Sequence, residues 1–232
     1  EGTLKRSELQ AFFDDIKILS ISDIMSTPNV KKPLSVTDVS EKGLETLIVE
    51  SLIKESGYVA GDPAAYDREH AVDLSKLLEF IEKTQPEAFE SLGLSSEGPK
   101  RTQFLHRLQG EITKRGVIDV LRGSVKHGPV SVDMFYGSPT PGNTKAELLY
   151  KSNIFSVTRQ LRYSLNESQL ALDFAIFING LPIATFELKN KLTKQTVDDA
   201  IQQYRRDRDP KELLFQFGRC VVHFGVDDHE VR

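Results

Sequence analysis

The stretch from residue 171 to residue 190 constrains the fold of this chain most strongly. Two runs of mostly apolar residues, 171–178 and 181–188, flank the dipeptide Asn179-Gly180. An Asn-Gly pair between such runs is the strongest short-range signal for a β-hairpin, because both residues tolerate the positive φ angles of a type I′ turn. The sequence therefore predicts two antiparallel strands joined by a tight turn.

Three ionisable residues, Asp173, Glu187 and Lys189, interrupt the apolar hairpin, and each would be costly on the inner face of a sheet. Because side chains alternate along a strand, a strict two-residue turn would separate Asp173 from the other two. A three-residue turn over 178–180 gathers all three on one face and places Asp173 opposite Thr185, diagonal to Glu187. We prefer this odd register, and the alternative is an even turn with one compensating bulge.

Asp173 and Glu187 on neighbouring strands can converge on one cation. Two carboxylates form a hard oxygen site that suits Mg²⁺ or Mn²⁺, which also take phosphate oxygens as ligands. A metal there polarises a phosphoryl group and activates a water molecule, and Lys189 can orient or deprotonate that water or stabilise the developing charge. The pattern fits metal-assisted phosphodiester hydrolysis. The same residues also fit a solvated face with an ordinary salt bridge.

The composition excludes several protein classes. The chain has 232 residues, 39% hydrophobic and 28% charged, which is typical of a globular protein and not of a collagen-like or disordered one. No run of ~20 apolar residues exists, so we expect no transmembrane helix and no membrane partner. The single cysteine, Cys220, excludes a disulfide framework and a cysteine-based zinc site. It favours a reducing compartment, so we expect a cytoplasmic protein.

Charge is distributed unevenly along the chain, whose net charge is −4. Residues 1–99 contain 10 basic and 19 acidic residues, whereas residues 100–232 contain 20 basic and 15 acidic residues. Any contact with a polyanion is therefore expected in the C-terminal half. Chance asymmetry of a solvated surface is the alternative.

The spacing of apolar residues changes from helical to alternating along the chain. Helices are predicted over 39–56, 71–84, 104–115 and 193–208, and strands over 117–121, 130–136, 155–163, 170–178, 181–188 and 220–226. The connection 85–99 holds at most a short helix. This order indicates an α/β protein. We expect an N-terminal arm over 1–35 with one helix near 7–16, a helical front over 36–115 and a sheet core over 116–232.

Several motifs around the hairpin resemble one known family. They are Phe155-Ser-Val-Thr-Arg-Gln-Leu-Arg-Tyr163, Phe177-Ile-Asn-Gly-Leu-Pro182, Thr185-Phe-Glu-Leu-Lys-Asn190 and Phe217-Gly-Arg-Cys-Val-Val-His-Phe224, with Tyr66-Asp-Arg-Glu69 and Gly116-Val-Ile-Asp-Val-Leu-Arg122 upstream. Together they resemble the N-terminal nuclease domain of type I restriction enzyme R (restriction) subunits, in the PD-(D/E)xK nuclease superfamily. The resemblance covers roughly residues 40–232.

The resemblance implies a restriction-endonuclease-like fold, a mixed β-sheet flanked by helices. It implies that Asp173, Glu187 and the backbone carbonyl of Leu188 bind the metal, and that Lys189 serves catalysis beside them. The metal implied is Mg²⁺, with Mn²⁺ as a substitute. The domain implied spans residues 36–232.

The resemblance also adds Glu45 and Gln203 to the implied catalytic residues. Glu45 matches the acidic residue of the family's first core helix, and Glu50 is a weaker match. Gln203 matches the Gln of a Gln-x-x-x-Tyr element, but Asp207 stands where that element has Tyr. The second half of the element therefore departs from the family pattern.

In this family the nuclease domain precedes an ATP-dependent DNA translocase. This sequence contains no Gly-x-x-x-x-Gly-Lys-Ser/Thr loop, so ATP would bind elsewhere in a full-length subunit. The partners implied are double-stranded DNA and, through the full-length subunit, the methyltransferase (M) and specificity (S) subunits. Two alternatives remain: a catalytically degenerate module that docks DNA or partner subunits, and a different nuclease of the superfamily.

Basic residues around the hairpin provide candidate contacts to DNA. They are Lys191 and Lys194 after the hairpin, Arg159 on the preceding strand, and Arg205 and Arg206 on the following helix. On one rim they would neutralise phosphates without reading base sequence. The alternative is that Arg205, Arg206 and Arg208 pair with Asp207, Asp209 and other neighbours.

Overall fold

The hairpin predicted around Asn179-Gly180 lies at the centre of a mixed β-sheet. The computed structural model describes residues 40–167, 169–190 and 195–232. Its strands, in chain order, are β1 Val59–Ala60, β2 Tyr66–Asp67, β3 Val72–Asp73, β4 Ser124–His127, β5 Val130–Asp133, β6 Phe155–Arg162, β7 Ala171–Ile178, β8 Leu181–Leu188 and β9 Val222–Val226.

Five of these strands form one sheet in the order β1-β6-β7-β8-β9. The outer pairs, β1 with β6 and β8 with β9, are parallel, and the two inner pairs are antiparallel. β2 with β3 and β4 with β5 form separate two-stranded sheets. The expected mixed sheet is therefore confirmed, and its edge strand β1 comes from the part of the chain for which only helices were predicted.

Helices surround the sheet. In chain order they are α1 Glu41–Glu55, α2 Leu74–Thr84, α3 Pro86–Ser91, α4 Pro99–Arg115, α5 Val117–Arg122, α6 Thr144–Lys151 and α7 Val197–Arg206. None of the helices in the described ranges is long and apolar enough to cross a membrane. The predicted arm over 1–35, with its helix near 7–16, lies outside the described residues, and its boundary stays a prediction.

The hairpin has a two-residue turn and one bulge. Ile178 pairs with Leu181 across the turn, but Ile176 pairs with Ala184, so the register shifts by one residue between these pairs. Thr185 consequently pairs with Ala175 and not with Asp173. The preferred three-residue turn is wrong, and the alternative, an even turn with one compensating bulge, is confirmed.

The bulge decides which face carries the charges. Phe174 pairs with Phe186, and their stacked rings lie in an apolar cluster with Val49 of α1. Asp173 and Glu187 occupy the next positions along the two strands. Because side chains alternate, both carboxylates lie on the face opposite these rings, on neighbouring strands.

The turn of the hairpin is buried inside the molecule. Asn179 is fully buried, its side-chain Oδ1 accepts a hydrogen bond from the Ile154 N–H (2.6 Å), and its Nδ2 donates to the Met134 carbonyl (2.9 Å). The Gly180 carbonyl accepts from the Asp73 N–H (2.8 Å). The Gly180 bond ties the hairpin to β3, and the Asn179 bonds tie it to the residues that follow β5 and precede β6.

Gly180 is predicted to be intolerant of a side chain. Its φ is +82°, and an added Cβ would lie 2.5 Å from the Asp73 carbonyl oxygen and 2.6 Å from the Leu77 nitrogen. Gly180→Ala should lower the free energy of unfolding by about 1–3 kcal/mol beyond the cost of a positive φ alone. Gly57→Ala is the matched control in chemical denaturation, because Gly57 has a φ of +75° with nothing near its missing Cβ. Equal losses in the two variants would contradict this packing.

Apolar clusters on both sides of the sheet hold the elements together. One cluster joins α1 to Phe174, Phe186 and neighbouring sheet residues. A second joins α2, α3, α4, α5, β4 and β5 to the turn end of the hairpin through Ile178 and Leu181. A third contains Phe177 with residues of β2 and β6. The hairpin contributes to all three, so its position is strongly specified.

Some short elements differ from prediction. Residues 117–121 form α5, not a strand, because Val117, Val120 and Leu121 bury one helical face. Helix α2 begins at Leu74 because the Asp73 side chain caps it, accepting from the Lys76 N–H (3.1 Å). The strand β4 and the helix α6 were not predicted. Helix α4 begins at residue 99, five residues before its predicted start.

Candidate metal centre

The Asp173 and Glu187 carboxylates lie where β7 and β8 run side by side. Asp173 is half-buried, and its Oδ2 accepts a hydrogen bond from the Leu188 N–H (2.6 Å). Glu187 is only 2% exposed. The bond to Leu188 holds the Asp173 carboxylate against the peptide that follows Glu187. The sequence-predicted pair is therefore brought together by backbone pairing and by a side-chain bond.

Arg208 is the direct partner of Glu187. Its guanidinium donates to Glu187 Oε1 through Nε (3.0 Å) and through a second, shorter bond from an Nη atom. The same guanidinium donates to the Tyr163 hydroxyl (3.0 Å) and to the Ala171 carbonyl (2.9 Å). Both side chains of the ion pair are almost fully buried. Arg208 thereby fixes the Glu187 carboxylate against β6 and β7.

Burial dominates the electrostatics of both carboxylates. Desolvation raises the pKa of Asp173, while the Leu188 N–H and the charge of Lys189 oppose the shift. Desolvation also raises the pKa of Glu187, to about 7, because the attraction of Arg208 does not fully offset burial and the nearby Asp173 charge. The charge of Lys189 lowers the pKa of Glu187 as well. The charges of Asp173, Glu187 and Lys189 therefore interact as one electrostatic cluster.

Glu45 lies at the edge of this cluster and holds β6 residues. It is 4% exposed, and its charge contributes to the raised pKa of Asp173. Glu45 Oε1 accepts from Arg159 Nε, and Oε2 accepts from Gln160 Nε2 (3.0 Å). Arg159 also donates to the Thr46 hydroxyl (3.1 Å). Glu45 is thus near Asp173, but its oxygens are already engaged by side chains.

A hydrogen-bonded group follows the same face of the hairpin beyond Glu187. The Thr185 hydroxyl lies 2.9 Å from the Tyr204 hydroxyl and 2.7 Å from His223 Nδ1. Burial raises the pKa of Tyr204, and the Glu187 charge adds to that shift. Burial lowers the pKa of His223. Tyr204 thus ties α7 to the hairpin.

The remaining predicted residues differ in their positions. Arg205 and Arg206 are exposed in the last turn of α7, as a DNA-contacting role requires. Gln203 is half-buried on α7, and the hydrogen bonds to Glu187 in the described ranges come from Arg208. Lys191 and Lys194 lie outside the described residues.

Arg208 is the site residue that sequence reasoning placed wrongly. The helix predicted over 193–208 places Arg208 beside Arg205 and Arg206, and one alternative pairs these arginines with Asp207, Asp209 and other neighbours. Helix α7 ends at Arg206, and Arg208 turns inward to Glu187. The charged run Arg-Arg-Asp-Arg-Asp-Pro contains no signal that separates the buried arginine from the exposed ones.

The free oxygens of the pair fit a small, hard cation. Among residues 40–167, 169–190 and 195–232, no hydrogen bond uses Asp173 Oδ1 or Glu187 Oε2. Carboxylate oxygens are the ligands that Mg²⁺ and Mn²⁺ prefer, and Mg²⁺ commonly uses one or two of them with waters and phosphate oxygens. The donor set therefore suits such an ion. The role of the Leu188 carbonyl stays a prediction.

Comparison with known proteins gives two matches. A family model described as "Type I restriction enzyme R protein N terminus" matches residues 38–232. A protein of Methanocaldococcus jannaschii, named as a type I restriction enzyme MjaVIIIP endonuclease subunit, is 24% identical over 133 residues. That alignment covers 55% of this chain and 13% of the relative, so the chain matches a small part of that protein.

Proposed function

This chain belongs to the family of type I restriction enzyme R protein N termini, and we propose that it is a metal-dependent DNA endonuclease domain. In this proposal it hydrolyses phosphodiester bonds away from the recognition site of the assembled enzyme. The observation that carries the proposal is the register of β7 and β8: Phe174 pairs with Phe186, and the Leu188 N–H donates to Asp173 Oδ2. This register brings Asp173 and Glu187 to one face of the hairpin, with Lys189 two residues further on.

Asp173 and Glu187 would hold Mg²⁺, or Mn²⁺ in its place, through Asp173 Oδ1, Glu187 Oε2 and the Leu188 carbonyl. Bound there, the ion would supply charge for the phosphoryl oxygens and lower the pKa of a coordinated water. The Leu188 N–H keeps the Asp173 carboxylate oriented, and Arg208 does the same for Glu187. Lys189 places a positive charge beside both carboxylates, where it can orient the attacking water or stabilise a phosphoryl oxygen.

Charge balance suggests that DNA completes the site. Lys189 and Arg208 already offset the charges of Asp173 and Glu187, so a divalent ion adds positive charge that backbone phosphates can neutralise. Arg205 and Arg206 at the exposed end of α7, with Lys191 and Lys194, would contact those phosphates without reading bases. Gln203 would assist from the same helix.

Glu45 and Arg159 would act as a positioning pair in this proposal. Because Glu45 binds both Arg159 and Gln160, it orients the side chains of β6 near Asp173. Arg159 is partly exposed and can meet a phosphate without leaving Glu45.

The whole R subunit would supply the other activities. We propose that ATP-driven translocation belongs to a part of the subunit beyond this chain, and that M and S subunits direct the enzyme to its recognition sequence. The reducing environment favoured by the single Cys220 agrees with a cytoplasmic location.

A catalytically degenerate docking module is the second candidate, and one observation favours it. The Arg208 guanidinium occupies Glu187 Oε1, as in a purely structural ion pair. Such a module would bind DNA or a partner subunit through the same basic residues but would cut nothing.

Cleavage by the assembled enzyme separates the two candidates. Asp173→Asn, Glu187→Gln and Lys189→Ala in the full R subunit should each reduce DNA cleavage by at least about 100-fold, a typical loss when an electrostatic contact to the transition state is removed. ATP hydrolysis and translocation should stay at wild-type rates, because those activities need none of the three side chains.

Lys151→Ala is the control, because Lys151 is exposed and paired with Glu147 on α6. It should cleave as wild type does. Wild-type cleavage by any of the three folded site variants would refute that residue's role. A wild-type enzyme that translocates but never cuts would favour the docking module.

A further inference from the structure

A second cluster of metal-ligating side chains lies away from the carboxylate pair. Glu69 and His70 stand in the turn between β2 and β3, and His106 lies on α4. One ligand atom from each of these residues lies within 4.8 Å of the other two. We propose that Glu69, His70 and His106 bind Zn²⁺ or a similar transition-metal ion, which joins this turn to α4.

His70 is already oriented as a metal ligand. Its Nδ1 lies 2.7 Å from Asp67 Oδ2, and its side chain is 5% exposed. When Nδ1–H donates to the carboxylate, Nε2 carries the lone pair that a metal needs. This buried Nε2 has no hydrogen-bond partner within the described ranges, although buried polar atoms normally have one. A metal ion would satisfy it.

Asp67 supports this orientation through its second oxygen. Asp67 Oδ1 accepts from the N–H groups of Glu69 (2.9 Å) and His70 (3.2 Å). One carboxylate therefore fixes the turn and the imidazole together. Metal-bound histidines commonly donate their other N–H to such a carboxylate, which sets the ring orientation and raises its basicity.

His106 and Glu69 complete the donor set from the solvent side. His106 Nε2 lies 3.6 Å from Glu69 Oε1, and the centroids of the two imidazole rings are 5.0 Å apart. Both side chains are more than half exposed, so an ion can enter from solvent and keep a water as its fourth ligand. Small movements of these two exposed side chains can bring the donors to bonding distance.

The donor chemistry selects a different metal from that of the carboxylate pair. Two imidazoles and one carboxylate suit Zn²⁺ and its neighbours in the transition series, whereas Mg²⁺ prefers oxygen ligands alone. The ion would link the β2–β3 turn to α4. Binding to the folded state alone stabilises that state, so the melting temperature should rise with Zn²⁺ concentration.

Titration of the 232-residue chain with Zn²⁺ alone tests the proposal. Calorimetry should give one Zn²⁺ per chain, and Co²⁺ in its place should produce the visible absorption bands of an imidazole-bound ion. His106→Ala should abolish the bands and the Zn²⁺-dependent rise in melting temperature. Asp67→Asn should weaken binding by about 10–100-fold, the usual effect of losing a carboxylate behind a histidine ligand.

Two variants serve as controls. His229→Ala removes an exposed histidine that also faces a carboxylate, Asp228 at 3.2 Å, and it should bind Zn²⁺ as wild type does. Asp173→Asn should keep the Co²⁺ bands, which separates this site from the proposed nuclease centre. His106→Ala avoids the buried His70, whose loss could impair folding. Wild-type binding by His106→Ala, or no Zn²⁺ binding by the wild-type chain, would overturn the proposal.

Discussion

Arg208→Ala is expected to lower the free energy of unfolding by about 3–5 kcal/mol, which is the usual cost of removing one partner from a buried ion pair. The variant leaves Glu187 buried, and it also removes the donors to the Tyr163 hydroxyl and the Ala171 carbonyl. Urea denaturation of the wild-type and variant chains gives the difference directly. Arg206→Ala is the matched control, because this exposed arginine lies on α7 two positions earlier. Its effect should stay within about 0.5 kcal/mol.

The free energy of unfolding that Arg208→Ala loses should increase as pH rises. The pKa of Glu187 in the folded chain is raised to about 7 from its ordinary 4.5, so the folded state binds more protons than the unfolded state between these values. This group's contribution to stability is therefore present at low pH and declines as pH rises towards 7. Removing Arg208 raises the Glu187 pKa further, because the guanidinium lowers it.

Two measurements test this pH dependence of stability. The difference between wild type and Arg208→Ala should be smaller at pH 5.5, where a proton neutralises Glu187, than at pH 8. The double variant Glu187→Gln, Arg208→Ala should recover part of the stability at pH 8, because no charge is then left buried. A pH-independent loss with no recovery would mean that Arg208 stabilises the fold mainly by packing.

The centre of the fold and of the site could be predicted from sequence because the signals there are local. An Asn-Gly pair between two apolar runs specifies a hairpin through the turn's backbone angles. The cost of burying charge requires Asp173 and Glu187 to share one face. A three-residue turn and a two-residue turn with one bulge place the same side chains on the same face of the hairpin. The pattern of apolar and charged residues therefore cannot distinguish them, and the preferred three-residue turn is wrong.

Other features depend on tertiary contacts that leave no local pattern. Residues 117–121 form a short apolar run that suits a strand or a helix equally, and packing against the second apolar cluster selects the helix. Arg208 resembles Arg205 and Arg206 in sequence, and only the turn after α7 directs it inward. His70 and His106 are distant in sequence, so the fold alone brings them together.

Mn²⁺ binding by calorimetry tests the central claim, that Asp173 and Glu187 share one cation. The titration compares the wild-type chain with Asp173→Asn and Glu187→Gln, each carrying His106→Ala so that the second proposed site contributes nothing. Asp173→Asn keeps one oxygen to accept from the Leu188 N–H, but it removes the charge and replaces the other carboxylate oxygen with an NH2 group that cannot bind a cation. Asp133→Asn, which alters an exposed carboxylate on β5, is the matched control.

We expect the His106→Ala chain and its Asp133→Asn derivative to bind Mn²⁺ equally. Both site variants should lose binding while remaining folded. The affinity should rise in the presence of a short DNA duplex, because phosphate oxygens complete the coordination. Equal Mn²⁺ binding by the site variants and the control, with and without DNA, would contradict the shared cation and the nuclease mechanism built on it.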